Sequence, residues 1–235
     1  MQDMSELAIA SGQIDGDSTS LSTATGARPQ VVERIGTKRA FDVAAAITGL
    51  TILIVVFVLV AACIKLSSRG PVLFRHSRIG LNGQRFDCLK FRTMHVDGHA
   101  VLEKHLAENV CARAEWERTQ KLRDDPRVTA LGKVLRKSSV DELPQLINIL
   151  RGEMSVVGPR PIVQAEIVRY GTHIHDYCSV RPGLTGLWQV SGRSDVDYAQ
   201  RVAFDCEYVL RRSFLLDLAI ILRTLPVVFA ARGAC

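Results

Sequence analysis

Hydrophobic residues follow three different rhythms along the chain, and each predicts a different element. From Val43 to Ile64 they run through 22 residues without a charge, about 33 Å as a helix and enough to cross a bilayer core. A helix buried inside a soluble core is usually shorter and rarely apolar on every side, so the run predicts membrane contact. Polar and apolar residues then alternate through PVLFRHSRIGLNGQRFDCLKFRTM, with Asn82-Gly83 at the centre, which predicts a β-hairpin. On its second arm Phe86, Cys88, Lys90 and Arg92 share one face, and Asp87, Leu89 and Phe91 share the other.

Residues 98–121 read as one charged helix anchored by Leu102 and Leu106. RDDPRV ends it, and a short helix follows over 129–137. Leu143, Leu146, Ile147 and Leu150 recur at helical spacing. The C-terminal SFLLDLAIILRTLPVVFAARGAC is apolar but broken by Asp217, Arg223 and Pro226, which suits a helix at the membrane interface or one packed on the core. Residues 1–36 show no sustained period and are rich in Ser, Thr, Gly, Asp and Ala, the composition of a disordered tail. The pattern predicts an α+β fold in three parts: the tail 1–36, a membrane-inserted helix within 37–66, and a mainly helical cytoplasmic region with its hairpin over 67–235. No internal repeat or signal peptide is evident.

Charge adds direction to this outline. The chain carries a net charge of +6, yet residues 1–36 hold five acidic residues against two basic ones. The remainder is strongly basic and suited to phosphate-bearing partners: anionic lipid, nucleotide or nucleic acid. The membrane segment and the scarcity of aromatics on the basic stretches weigh against nucleic acid. Lys38 and Arg39 precede the apolar run, and Lys65, Arg69, Arg75 and Arg78 follow it. The more basic C-terminal side belongs in the cytoplasm, while positive charge at both ends also suits a segment that dips in and returns. The six cysteines form no CxxC pair and no zinc-ligand spacing, as in a chain facing a reducing compartment.

Candidate chemistry gathers in SSVDELPQLINILRGEMSVVGPRP, residues 138–161. Asp141 and Glu142 stand together at the start of the apolar helix. Ser139 and Glu142 have capping-box spacing, so one reading makes the two acids helix caps. Their surroundings support another. Arg136 and Lys137 lie just upstream, and Arg160 is held between Pro159 and Pro161, whose fixed φ limits how it points. Downstream, RPGLTGLWQVSGR interleaves three glycines with Arg181 and Arg193, a composition that can present backbone N–H groups to an anion or simply make turns. Adjacent carboxylates amid cations can hold Mg²⁺ against a substrate phosphate, or one can attack phosphorus as a nucleophile. His173 and His175 lack an evident third ligand and read as an exposed turn; Trp116 and Trp188 carry no assigned role.

The ordered motifs KRAFDV, RIGLNGQRFDCLKFRTM, LRKSSVDELPQLINILRGEMSVVGPRP, RPGLTGLWQVSGR and FLLDLAIILRT resemble those of the bacterial sugar transferases, monotopic polyprenyl-phosphate sugar-1-phosphate transferases. The resemblance covers about residues 37–235 and is nearest to the galactose phosphotransferases that initiate exopolysaccharide synthesis. It implies a reaction in which a UDP-sugar and undecaprenyl phosphate give undecaprenyl-diphospho-sugar and UMP with Mg²⁺, at the cytoplasmic face of the bacterial inner membrane. By motif match, Asp141 is the nucleophile and, with Glu142, a metal ligand. Arg136, Pro159, Arg160, Pro161, Arg181, Arg193 and Asp205 belong to the phosphate and substrate site. The implied partners are UDP-sugar, undecaprenyl phosphate, membrane lipid and downstream glycosyltransferases. A re-entrant membrane helix is also implied, although Ile54 and Val55 stand here where relatives carry a helix-breaking Ser-Pro pair. Glucose as the sugar and a catalytically degenerate membrane scaffold are the competing expectations.

Overall fold

The computed structural model describes residues 35–119, 122–191 and 196–229. The chain opens with two helices, α1 (Ile35–Ile52) and α2 (Ile54–Ser67), bent by 62° at their junction. No single described helix is long and apolar enough to cross a membrane; this bent pair is, taken together. The membrane-inserted helix expected over this run is thus a bent pair of helices. The break sits at Leu53, without a proline. Thr51 contributes by donating its hydroxyl to the Ile47 carbonyl at 2.9 Å, a back-bond that tends to bend helices. The expected disordered tail falls on residues 1–34, outside the described residues, while Ile35 and Gly36 already belong to α1.

Strands β1 (Leu73–Ile79) and β2 (Arg85–Phe91) form the antiparallel hairpin, with Leu73 opposite Phe91 and Ile79 opposite Arg85. Asn82 and Gly83 take positive φ at the turn, as their composition requires. Both faces of β2 are covered. Phe86 and Cys88 pack with Ala46, Leu146, Ile149 and Met154. Phe91 packs with Ile64, Leu135 and Phe57, so the N-terminal helices take part in the core rather than standing off it.

The charged helix expected over 98–121 is two helices, α3 (Gly98–Glu108) and α4 (Val110–Thr119). Asn109 between them is extended, and its Oδ1 accepts the Ala112 amide at 3.0 Å, starting a new helix. Next come α5 (Ala130–Lys137), capped by Thr129, and α6 (Gln145–Arg151). Strand β3 (Ser155–Val157) follows, then the short helices α7 (Ile167–Tyr170) and α8 (Ile174–Cys178). Strand β4 (Gly183–Thr185) pairs in parallel with β3 and leads to α9 (Leu187–Ser191), α10 (Tyr198–Arg211) and α11 (Phe214–Phe229). Among the described residues the fold is α+β: mostly helical, with two small sheets.

Buried polar groups fix how these pieces meet. Asn148 is fully buried, accepts the Leu89 amide and donates to the Asp87 carbonyl and the Glu153 carboxylate, tying α6 to β2. Asp42 on α1 accepts from Ser155 Oγ and the Val156 amide. Lys38 reaches Asp217 on α11 at 2.7 Å, and Tyr208 donates to the same carboxylate. Of the two sequence readings of α11, the structure shows the packing on the core. Asp217 and Ile220 are buried against the core, while Leu215, Leu218, Leu222 and Leu225 stay exposed.

Candidate active site

The acidic pair lies in a tight turn, and helix capping does not explain it. After α5, Ser139 takes φ 57°, a left-handed conformation uncommon outside glycine and asparagine, and turns the chain back into the short 3₁₀ turn Val140–Glu142. Ser139 makes no side-chain cap bond, and α6 begins only at Gln145, after Pro144. The capping-box reading is thus corrected: Glu142 points to Lys90 on β2, with Lys90 Nζ 2.6 Å from Glu142 Oε1.

Asp141 is buried. Burial pushes its carboxyl up from the ordinary 3.8 to about 6; Lys90 and Arg136 draw it back, while the Glu142 charge adds to the rise. Arg136 is oriented by its Nε donating to Thr93 Oγ1 at 2.9 Å. The hairpin and the last turn of α5 therefore deliver one cation each to the same carboxylate.

Arg160 is near enough for the Glu142 charge to act on it. It follows β3, whose backbone lies against β4 so closely that a Cβ on Gly183 would collide with the Gly158 nitrogen and Cα. Pro159 and Pro161 are buried on either side, with Pro159 O accepting the Gly183 amide and Pro161 O accepting from Arg78. Burial, then the neighbouring Arg201 and Arg78, lower the pKa of Arg160, while Glu142 and Glu166 oppose that. Asp205 is buried on α10 and accepts the Tyr170 hydroxyl at 2.7 Å. Burial pushes it to about 7, against the hydrogen bond from Tyr170 and the charges of Arg201 and Arg160.

The structure thus links Arg136, Asp141, Glu142, Arg160 and Asp205 through shared electrostatic neighbours. The Arg181 side chain is engaged in the turn after α6, where its Nε donates to the Gly152 carbonyl at 2.8 Å. Arg193 is outside the described residues. Lys90, Thr93, Arg78, Arg201 and Trp188 were not marked as site residues by the sequence. Lys90 carried a usable signal, a lysine on the strand face it shares with Phe86 and Cys88. His173 and His175 are exposed in short helical turns, and His173 has two donors beside it that spacing did not reveal, Asp176 and Cys206, all within 4.8 Å.

Residues 32–231 match the bacterial sugar transferase family. The exopolysaccharide production protein ExoY of Sinorhizobium fredii is 54% identical over 197 residues, covering 84% of this chain and 87% of that protein. The undecaprenyl-phosphate galactose phosphotransferase of Salmonella typhimurium is 51% identical over 165 residues, 70% of this chain but 35% of that protein. The UDP-glucose:undecaprenyl-phosphate glucose-1-phosphate transferase of Caulobacter vibrioides is 42% identical over 205 residues, 84% and 71% of the two chains. The chain belongs to the bacterial sugar transferase family and is an enzyme of the phosphotransferase type that these relatives' names describe.

Proposed function

We propose that the protein transfers galactose-1-phosphate from UDP-galactose to undecaprenyl phosphate, releasing UMP, as the first membrane step of exopolysaccharide synthesis. The observation that carries the chemistry is Asp141: a buried carboxyl raised to about 6, flanked by Lys90 and Arg136 and beside a second acid. At neutral pH it is mostly ionised yet poorly solvated, which suits a nucleophile. Its oxygen attacks the sugar-linked phosphorus, the bond to the bridging oxygen breaks, and that oxygen leaves on UMP with the electron pair. An oxygen of undecaprenyl phosphate then attacks the aspartyl phosphate and returns the Asp141 carboxylate. Arg136, whose charge acts on Asp141, and Arg160, on which the Glu142 charge acts, are suited to bind the phosphoryl oxygens.

The two carboxylates fit a hard divalent cation. They are adjacent oxygen donors, and the Glu142 charge already disfavours ionisation of Asp141, a repulsion that such an ion relieves. Asp141 and Glu142 would hold Mg²⁺, which would supply charge neutralisation at the phosphates.

Galactose rests on the names of relatives such as the Salmonella protein, and the Caulobacter relative is the reason to assay glucose beside it. Insertion of α1 and α2 into the cytoplasmic leaflet of the inner membrane as a re-entrant pair is supported by the 62° bend and by the exposed Ile52, Ile54, Val55, Val58 and Leu59 around it. The direct assay is UMP release by the detergent-solubilised protein with undecaprenyl phosphate, Mg²⁺ and either UDP-galactose or UDP-glucose. Lipid-dependent release, faster with UDP-galactose, is the expected result.

A further inference from the structure

A second polar cluster lies where the segment after β3 meets α9 and α10. Arg201 on α10 is buried, and its guanidinium carbon lies 4.8 Å from the Trp188 ring centroid and 5.1 Å from that of Tyr198. Arg160 approaches the same indole at 5.8 Å. Two guanidiniums thus converge on one ring, and Arg78 stands close enough for its charge to bear on Arg160 as well.

Negative charge does not match them. Glu166 is shared, 3.8 Å from Arg78 Nη1 and 4.0 Å from Arg201 Nη2, and its Oε2 already accepts the Val163 amide. Glu142 and Asp205 are the other acids that bear on these arginines; Glu142 is already paired with Lys90, and burial keeps Asp205 only partly ionised at neutral pH. The hydrogen bonds leave buried groups unspent here, two acceptors, Gln189 Oε1 and Asp205 Oδ1, among them. Arg201 Nε, Arg201 Nη2 and Trp188 Nε1 are buried donors with no hydrogen-bond partner among the described residues. Stacking on Trp188 and Tyr198 uses the guanidinium face and leaves these N–H groups unspent. Buried charged donors left unpaired are costly, and a phosphate offers the acceptors and charge they lack.

We propose that Arg201, Arg160 and the Trp188 indole N–H form an anion subsite for the phosphate of the departing nucleotide, making Arg201 a further substrate-binding residue. This rests on the transferase reading above. Arg160 links the two regions, since both Glu142 and Arg201 act on it. The subsite holds the phosphate whose oxygen takes up the electron pair as the bond to the sugar-linked phosphorus breaks. Fixed guanidiniums stabilise that developing charge.

The test is calorimetric binding of UMP and of uridine to the full-length, detergent-solubilised protein. In Arg201→Gln, UMP binding weakens about tenfold or more, the loss of a charge-assisted contact, while uridine binding is unchanged. Arg201→Lys recovers part of the loss. UMP binding unchanged in Arg201→Gln, or UMP and uridine weakened equally, overturns the subsite. Should Arg201→Gln fail to fold, Trp188→Phe, which keeps a ring and removes the N–H, is expected to weaken UMP several-fold; wild-type affinity there overturns it too. Wild-type protein that binds neither UMP nor UDP-galactose overturns the transferase reading and the subsite with it, whereas UMP binding that survives both substitutions overturns the subsite alone.

Discussion

Lys90 Nζ sits 2.6 Å from Glu142 Oε1, joining the hairpin to the acidic turn across 52 residues of chain. The same ammonium is the largest single influence opposing burial at Asp141. Replacing it with a neutral residue leaves the burial and the Glu142 charge in place. Lys90→Met is therefore expected to move the acidic limb of the pH–rate profile upward by about one unit, because Asp141 must lose its proton to act. Measuring kcat/KM from pH 5 to 8 for both proteins checks this; superimposed profiles refute it.

Asp141 sets stability against activity. Its carboxyl rises from 3.8 to about 6 on folding, so the native state binds the proton more tightly than the unfolded chain does. The resulting destabilisation is absent below about pH 4, grows through the window between the two values and is complete above about pH 6, on the order of 3 kcal/mol. Asp141→Asn is expected to abolish turnover and to raise unfolding free energy by up to about 3 kcal/mol at pH 8. The gain should vanish near pH 4. Denaturant titrations at both pH values measure it.

Asn148 has a structural role in positioning the site. Its amide satisfies Leu89 N, Asp87 O and Glu153 from a fully buried position beside the strand that carries Lys90. Asn148→Leu leaves those groups unpaired in the core and is expected to cost about 3–5 kcal/mol, well beyond a surface substitution. A fall in thermal midpoint together with lost activity would bear this out.

Much of this architecture is written locally. The hairpin is legible because Asn82-Gly83 supplies positive φ between alternating strands, and α5 because Thr129 caps a short periodic run. The acidic pair and Arg160 were visible as an unusual grouping of charge near two prolines. What local pattern cannot encode is pairing across distance. Lys90 meets Glu142, and Arg201 meets Trp188 beside Arg160, only after β2, β3 and α10 have packed. The capping box was misread for a related reason. Ser139 and Glu142 have the right spacing, but the left-handed Ser139 and the pull of Lys90 give that spacing another use. The bend at Leu53 was obscured because the apolar run carries no proline to mark it.

The bent N-terminal pair predicts topology. A re-entrant arrangement keeps both ends of 35–67 on the cytoplasmic face, so an epitope fused at the N-terminus should resist protease in intact spheroplasts and be cleaved only after lysis. Cleavage in intact spheroplasts would mean that the pair spans.

The central claim is that Asp141 carries the sugar phosphate covalently. Incubating the purified protein with Mg²⁺ and UDP-galactose labelled in the sugar, without lipid acceptor, and then mapping the label by mass spectrometry tests it most directly. The account predicts one hexose phosphate on Asp141, discharged on adding undecaprenyl phosphate and absent from Asp141→Asn. An unlabelled protein whose Asp141→Asn variant still releases UMP at the wild-type rate would contradict it.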